Sequence, residues 1–161
     1  MAYDKLIPTL SQDSTDIAVK TLQRALDVLN DLALTLKHAH WNVTGPNFSV
    51  VHEMLDPEID DIRDAVDTVA ERIAALGGSP NGLSTQLQKT ASTLIPEYKV
   101  KTKSATTEHL IALDEQYTSI ETLLRTEITV LDEADLISSN VLQDILVNLE
   151  QFQWKVRSHL A

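Results

Sequence analysis

Five side chains in the first half of the sequence, His40, His52, Asp56, Asp67 and Glu71, have the types and spacing that could hold a metal ion. His52/Asp56 and Asp67/Glu71 are both i, i+4 pairs. At 100° per residue the four fall, with Asp60, within an arc of about 100° on one helix. Both pairs border an apolar stripe of Leu55, Ile59, Ile62, Val66, Val69 and Ile73, so they do not read as a plain solvated face. Asp60, Asp61 and Asp64 do read that way. Burying carboxylates without partners costs several kcal/mol each, so partners are expected. Two imidazoles and three carboxylates suit a divalent ion of borderline hardness, with iron, manganese and zinc all chemically possible. His40 alone on an apolar stripe would be a satisfied core histidine; with His52 and the acids it reads as a ligand.

The spacing also sets a limit. Asp56 and Asp67 point nearly the same way but stand about 16 Å apart along a helix, at about 1.5 Å per residue. They cannot bind one ion, or two ions about 4 Å apart, from the same chain. Antiparallel packing of this helix on its own copy about a two-fold axis would bring Asp56 of one subunit to Asp67 of the other, giving two equivalent sites per dimer. His40, His52 and Asp56 then come from one chain, Asp67 and Glu71 from its partner. Arg63 falls near that axis and reads as a counter-charge to Asp60 or Asp64.

The elements that must position these groups are helices. Only four glycines occur among 161 residues, and Leu, Ala and acidic residues are abundant. From Ser14 or Thr15, both competent N-caps, apolar residues recur at Leu22, Leu26, Leu29, Ala33 and Leu36, and the next step lands on His40. "NVTGPN" ends that helix. A second should start near Asn47 or Ser49 and run to Gly77-Gly78, kinked at Pro57. Residues 79–104 hold a short helical candidate, "LSTQLQKTA", and an irregular crossover. A third helix carries Leu110, Leu113, Tyr117, Ile120, Leu124 and Leu131, and a fourth carries Leu142, Ile145, Leu149, Phe152, Val156 and Leu160. The predicted fold is all-α: a ferritin-like four-helix bundle with a short extra helix in the crossover between helices 2 and 3. One domain spans residues 1–161, with 1–13 as a flexible tail.

The chain has no cysteine and a formal net charge of -11, which fits a reducing, cytoplasmic setting and works against unaided attraction to nucleic acid or anionic membranes. No stretch approaches the roughly 18–20 apolar residues of a membrane span.

"AHWNVTGPNF", "VHEMLD" and "DAVDTVAERIAALGG", covering residues 39 to 78, resemble the Dps family, the miniferritins of bacteria. Weaker similarity extends through "EHLIALDEQY" and "FQWKVRSHL". The resemblance implies a hollow homododecamer with dinuclear ferroxidase centres at two-fold interfaces, where Fe(II) is oxidised by hydrogen peroxide or O2 and stored as ferric mineral, protecting DNA. The family's metal ligands fall on His40, His52, Asp56, Asp67 and Glu71, none substituted. Trp41 and Trp154 match family tryptophans; core packing is preferred for them over radical quenching. Iron-admitting pores in the family involve the start of the last helix, where Asp132, Glu133, Asp135 and Asp144 are candidates; helix-start acids complementing a helix dipole explain them equally well.

DNA binding in the family commonly uses a lysine-rich terminal tail, and here only Lys5 precedes residue 17. The best basic feature is "YKVKTK" at Tyr98 to Lys103, which keeps open a DNA-condensing, nucleoid-associated role. A third reading is metal-assisted hydrolysis of an amide or ester at the same site, although no G-x-S-x-G or H-E-x-x-H occurs.

Overall fold

The computed structural model describes residues 6–161. Helices α1 (Gln12–Asn42), α2 (Phe48–Ala75), α4 (Thr106–Ala134) and α5 (Leu136–Leu160) form a four-helix bundle, and the short α3 (Ser84–Leu94) lies in the crossover. α1 packs along α2, α4 along α5, and α1 also meets α4 and α3. The all-α architecture is the expected one.

Helix α1 begins earlier than the Ser14 or Thr15 of the sequence reading. Ser11 is the cap: its Oγ accepts from the Ser14 amide at 3.1 Å, and Thr15 Oγ1 donates to the Ser11 carbonyl at 2.9 Å. Of the tail expected at 1–13, residues 1–5 lie outside the described residues, Ile7 and Leu10 pack against the core, and 12–13 belong to α1.

The apolar stripes of all four helices meet in one core, with Leu22, Leu26, Leu36, Ile59, Ile62, Leu113 and Ile120 essentially inaccessible. Each such side chain contributes about 1.5–3 kcal/mol through burial. Polar ties set the register between helices. Arg24 pairs with Glu127 at 2.7 Å (α1 to α4), Arg157 with Asp114 at 2.6 Å (α5 to α4), and the Tyr117 hydroxyl donates to Glu58 at 3.0 Å (α4 to α2). Buried Asp27 accepts from Gln23, Gln86 and Thr90 and so fastens α3 to α1.

Pro57 has no N–H to give the preceding turn, yet α2 runs through it unbroken, because Leu55 and Ile59 on either side stay in the core. The tandem glycines end α2 as expected, each for its own reason. Gly77 takes φ +87°, and a Cβ on Gly78 would stand 2.8 Å from Val19.

A two-residue parallel pairing of β1 (Val43–Thr44) with β2 (Ser104–Ala105) is too short to leave a periodic signal in the sequence. Thr44 Oγ1 donates to the Ser104 carbonyl at 2.9 Å and Thr106 Oγ1 to the Pro46 carbonyl at 2.8 Å, so the end of the crossover is tied to the α1–α2 turn. Tyr98 anchors the crossover itself, buried and hydrogen-bonded to His109 at 2.8 Å.

The tryptophans correct the sequence reading. Trp41 is 66% exposed and Trp154 65% exposed, so neither packs in the core of the chain. Residue 41 stands 100° off the stripe that ends at His40, and residue 154 lies 200° round α5 from Phe152.

Candidate metal centre

The last turn of α1 carries His40 and the start of α2 carries His52. The connecting turn reverses the chain through two left-handed residues, Gly45 at φ +90° and Asn47 at φ +62°. Asparagine is among the few side chains that tolerate this region. The reversal stacks the two imidazoles, with ring centroids 3.7 Å apart and planes 23° from parallel.

Each ring is held by the backbone of the other residue. His40 Nδ1 donates to the His52 carbonyl at 2.9 Å, and His52 Nδ1 donates to the His40 carbonyl at 2.9 Å. A carbonyl can only accept, so both protons sit on Nδ1, and in the neutral rings both Nε2 atoms offer lone pairs. Phe48 covers His52, ring centroids 5.0 Å apart. His40 is buried and His52 half-buried.

Asp56 follows His52 by one turn, its Oδ1 3.5 Å from His40 Nδ1 and 2.9 Å from Lys37 Nζ. The Lys37 hydrogen bond, with the Lys37 charge added, outweighs desolvation and holds the Asp56 carboxyl below the usual carboxylate range. Lys37 was missed in the sequence. The available signal was its place three residues before His40, on the same side of α1.

Asp67 and Glu71 stand exposed further along α2, about 16 Å or more from Asp56 by helical rise. Among the described residues no three His, Asp or Glu side chains converge closely enough to hold a metal ion. One chain therefore offers the five predicted ligands as two separate groups. Arg63 lies 3.8 Å from Asp60, the counter-charge arrangement expected of it.

The four acids proposed near the start of the last helix differ in surroundings. Glu133 and Asp144 are exposed, and Asp132 accepts from Ser139 Oγ. Asp135 is buried and paired with Arg72 at 2.6 Å, with Ser138 Oγ donating to the same carboxylate. Burial raises the Asp135 carboxyl, but the Ser138 and Arg72 hydrogen bonds and the Arg72 charge outweigh it and leave it below its ordinary value. In the basic segment, Lys99 pairs with Glu115, and Lys101 with Glu97 at 2.7 Å. Among the described residues no helix is long and apolar enough to cross a membrane.

The ferritin family's model of a ferritin-like domain matches residues 19–161. A DNA protection during starvation protein of Mycolicibacterium smegmatis is 44% identical over 154 residues, covering 96% of this chain and 82% of the relative. The fine tangled pili major subunit of Haemophilus ducreyi is 41% identical over 157 residues, covering 98% of this chain and 82% of that protein. The tetragonal form of Mycobacterium smegmatis Dps superposes with a TM-score of 0.93 at 42% identity, covering 99% of this chain and 94% of that one. Fold, domain match and near-full-length identity agree: the chain belongs to the Dps family of ferritin-like proteins.

Proposed function

We propose that this protein is a ferroxidase and iron-storage subunit that assembles as a hollow homododecamer. In this reading Fe(II) is the substrate, bound as a pair between His40, His52 and Asp56 of one chain and Asp67 and Glu71 of its two-fold partner. The observation that carries the reading is the reciprocal clamp of His40 and His52, which spends both Nδ1 protons on backbone carbonyls and leaves both Nε2 lone pairs for a metal. The donor set fits iron, with hard carboxylates favouring the ferric product, and zinc or manganese can compete for it.

The chain's own groups account for capture and release. The formal charge of -11 favours accumulation of cations around the protein. Lys37 neutralises Asp56 before the metal arrives and competes with it for the carboxylate. Two Fe(II) supply the two electrons that reduce one hydrogen peroxide to water, and the ferric product passes to the cavity as mineral. Consuming Fe(II) and peroxide together protects DNA without contact. The ion pairs of Lys99 and Lys101 support that form of protection over direct DNA condensation. A shared fold does not fix activity, as the pilus name of the Haemophilus relative illustrates, so the test addresses the residues.

Anaerobic Fe(II) loading followed by peroxide, monitored by ferric absorbance, should give rapid oxidation at two Fe(II) per peroxide in the wild type. Asp67→Ala/Glu71→Ala should lose it. Equal rates in both proteins would remove these carboxylates from the mechanism.

A further inference from the structure

The last turn of α2 carries Glu71, exposed, and beside it Arg72, whose side chain is only 17% accessible. Arg72 turns away from the proposed ligand face and grips the α4–α5 junction with two of its donors. Nη2 donates to Asp135 Oδ2 at 2.6 Å and Nε to Ser138 Oγ at 2.9 Å, while Ser138 Oγ donates back to Asp135. Asp135 is the N-cap of α5, so the acceptor is fixed to the start of a long helix. Among the described residues this is the side-chain hydrogen bonding that joins α2 to the α5 end of the bundle.

We propose that Arg72 is a positioning residue for the metal site. Its two-pronged grip sets the rotation of the last two turns of α2 and thereby the places of Asp67 and Glu71, which α2 lends to the partner's histidines. The inference rests on the shared-site reading of the previous subsection. The geometry makes rotation matter: turning the helix by about 20° at a side-chain radius of about 5–6 Å moves a carboxylate by about 2 Å, comparable to a metal–oxygen bond of about 2.0–2.2 Å. A guanidinium resists that rotation because it holds two acceptors in a fixed plane; an ammonium is a single pivot. Outer groups that orient ligands typically contribute 10–100-fold to metal affinity.

The test is Co(II) binding, followed by visible absorption and chelator competition, on wild type, Arg72→Lys, Arg72→Met and Asp135→Asn. Light scattering and a thermal midpoint are recorded for each protein. The inference expects Arg72→Met and Arg72→Lys to bind Co(II) at least tenfold more weakly while still assembled. It also expects Arg72→Met to weaken Co(II) binding by a smaller factor in a Glu71→Ala background than in wild type, because part of its effect runs through Glu71. If Arg72→Met does not assemble, Asp135→Asn carries the test, with a loss of affinity expected from the weakened acceptor. A variant with a lowered midpoint and wild-type Co(II) affinity would reduce Arg72 to a stability contact and overturn the inference, as would fully additive losses in the double variant. Wild-type Co(II) binding no tighter than that of His40→Ala/His52→Ala would instead sink the metal site, and this inference with it.

Discussion

Glu58 makes a prediction that needs no metal. It is fully buried in α2, its Oε2 accepts from the Tyr117 hydroxyl at 3.0 Å, and its Oε1 has no hydrogen-bond partner among the described residues. Burial pushes its carboxyl from 4.5 up to about 7, against the opposing hydrogen bond from Tyr117 and the charge of Lys155. The folded chain thus holds a proton that the unfolded chain has released, and stability must fall as pH rises from about 4.5 to about 7. At 1.36 kcal/mol per pH unit, the 2.5-unit gap amounts to about 3 kcal/mol per chain, fully expressed above pH 7. Glu58→Gln keeps an acceptor for Tyr117 and cannot ionise. Urea unfolding at fixed protein concentration should therefore give the two proteins similar stability at about pH 4, and the variant an advantage of about 3 kcal/mol at about pH 8. Comparing the change with pH between the proteins cancels every other titrating group. Parallel pH profiles would refute the reasoning and show that the buried carboxyl does not retain its proton.

Two further perturbations follow from the geometry. Lys37→Met removes the cation that occupies Asp56 at 2.9 Å; the pair is exposed and screened by solvent, so Co(II) affinity should rise by no more than about fivefold, and a weaker site would show instead that Lys37 holds Asp56 in its binding position. Gly78→Ala places a methyl 2.8 Å from Val19 and 2.9 Å from Ile73. Overpacking of this kind costs about 1–3 kcal/mol, readable as a lowered urea midpoint, and a loss below about 0.5 kcal/mol would mean that Val19 moves aside.

What the sequence disclosed and what it concealed divide along a physical line. The long helices were legible because an apolar residue every three or four positions is a local signal, and extending that signal by one step drew attention to His40. The clamp that gives His40 and His52 their common tautomer was not legible, because it depends on left-handed backbone at Gly45 and Asn47 and on carbonyls that carry no sequence mark. Lys37 to Asp56 and Arg72 to Asp135 join residues 19 and 63 positions apart, and pairings at that range are set by how helices pack, not by either residue's neighbours. The tryptophans show the converse error: a large apolar side chain invites a place in the core, yet Trp41 and Trp154 fall outside the period that defines it.

The same period places Asp56 and Asp67 on one side of α2 about 16 Å apart, and that separation has a consequence beyond the single chain. If all five candidate ligands serve one kind of site, no rearrangement inside a continuous helix can unite them. Two copies of α2 must lie antiparallel, with Asp56 of each opposite Asp67 of the other. Loss of metal in the His52→Ala protein should then be restored at about a quarter of the sites by equimolar mixing with Glu71→Ala subunits, since random pairing makes about half the dimers mixed and one of the two interfacial sites in each mixed dimer keeps every ligand. Metal titration of the reassembled mixture reads that fraction directly. Mixtures that bind no more metal than either parent would exclude a site shared between chains.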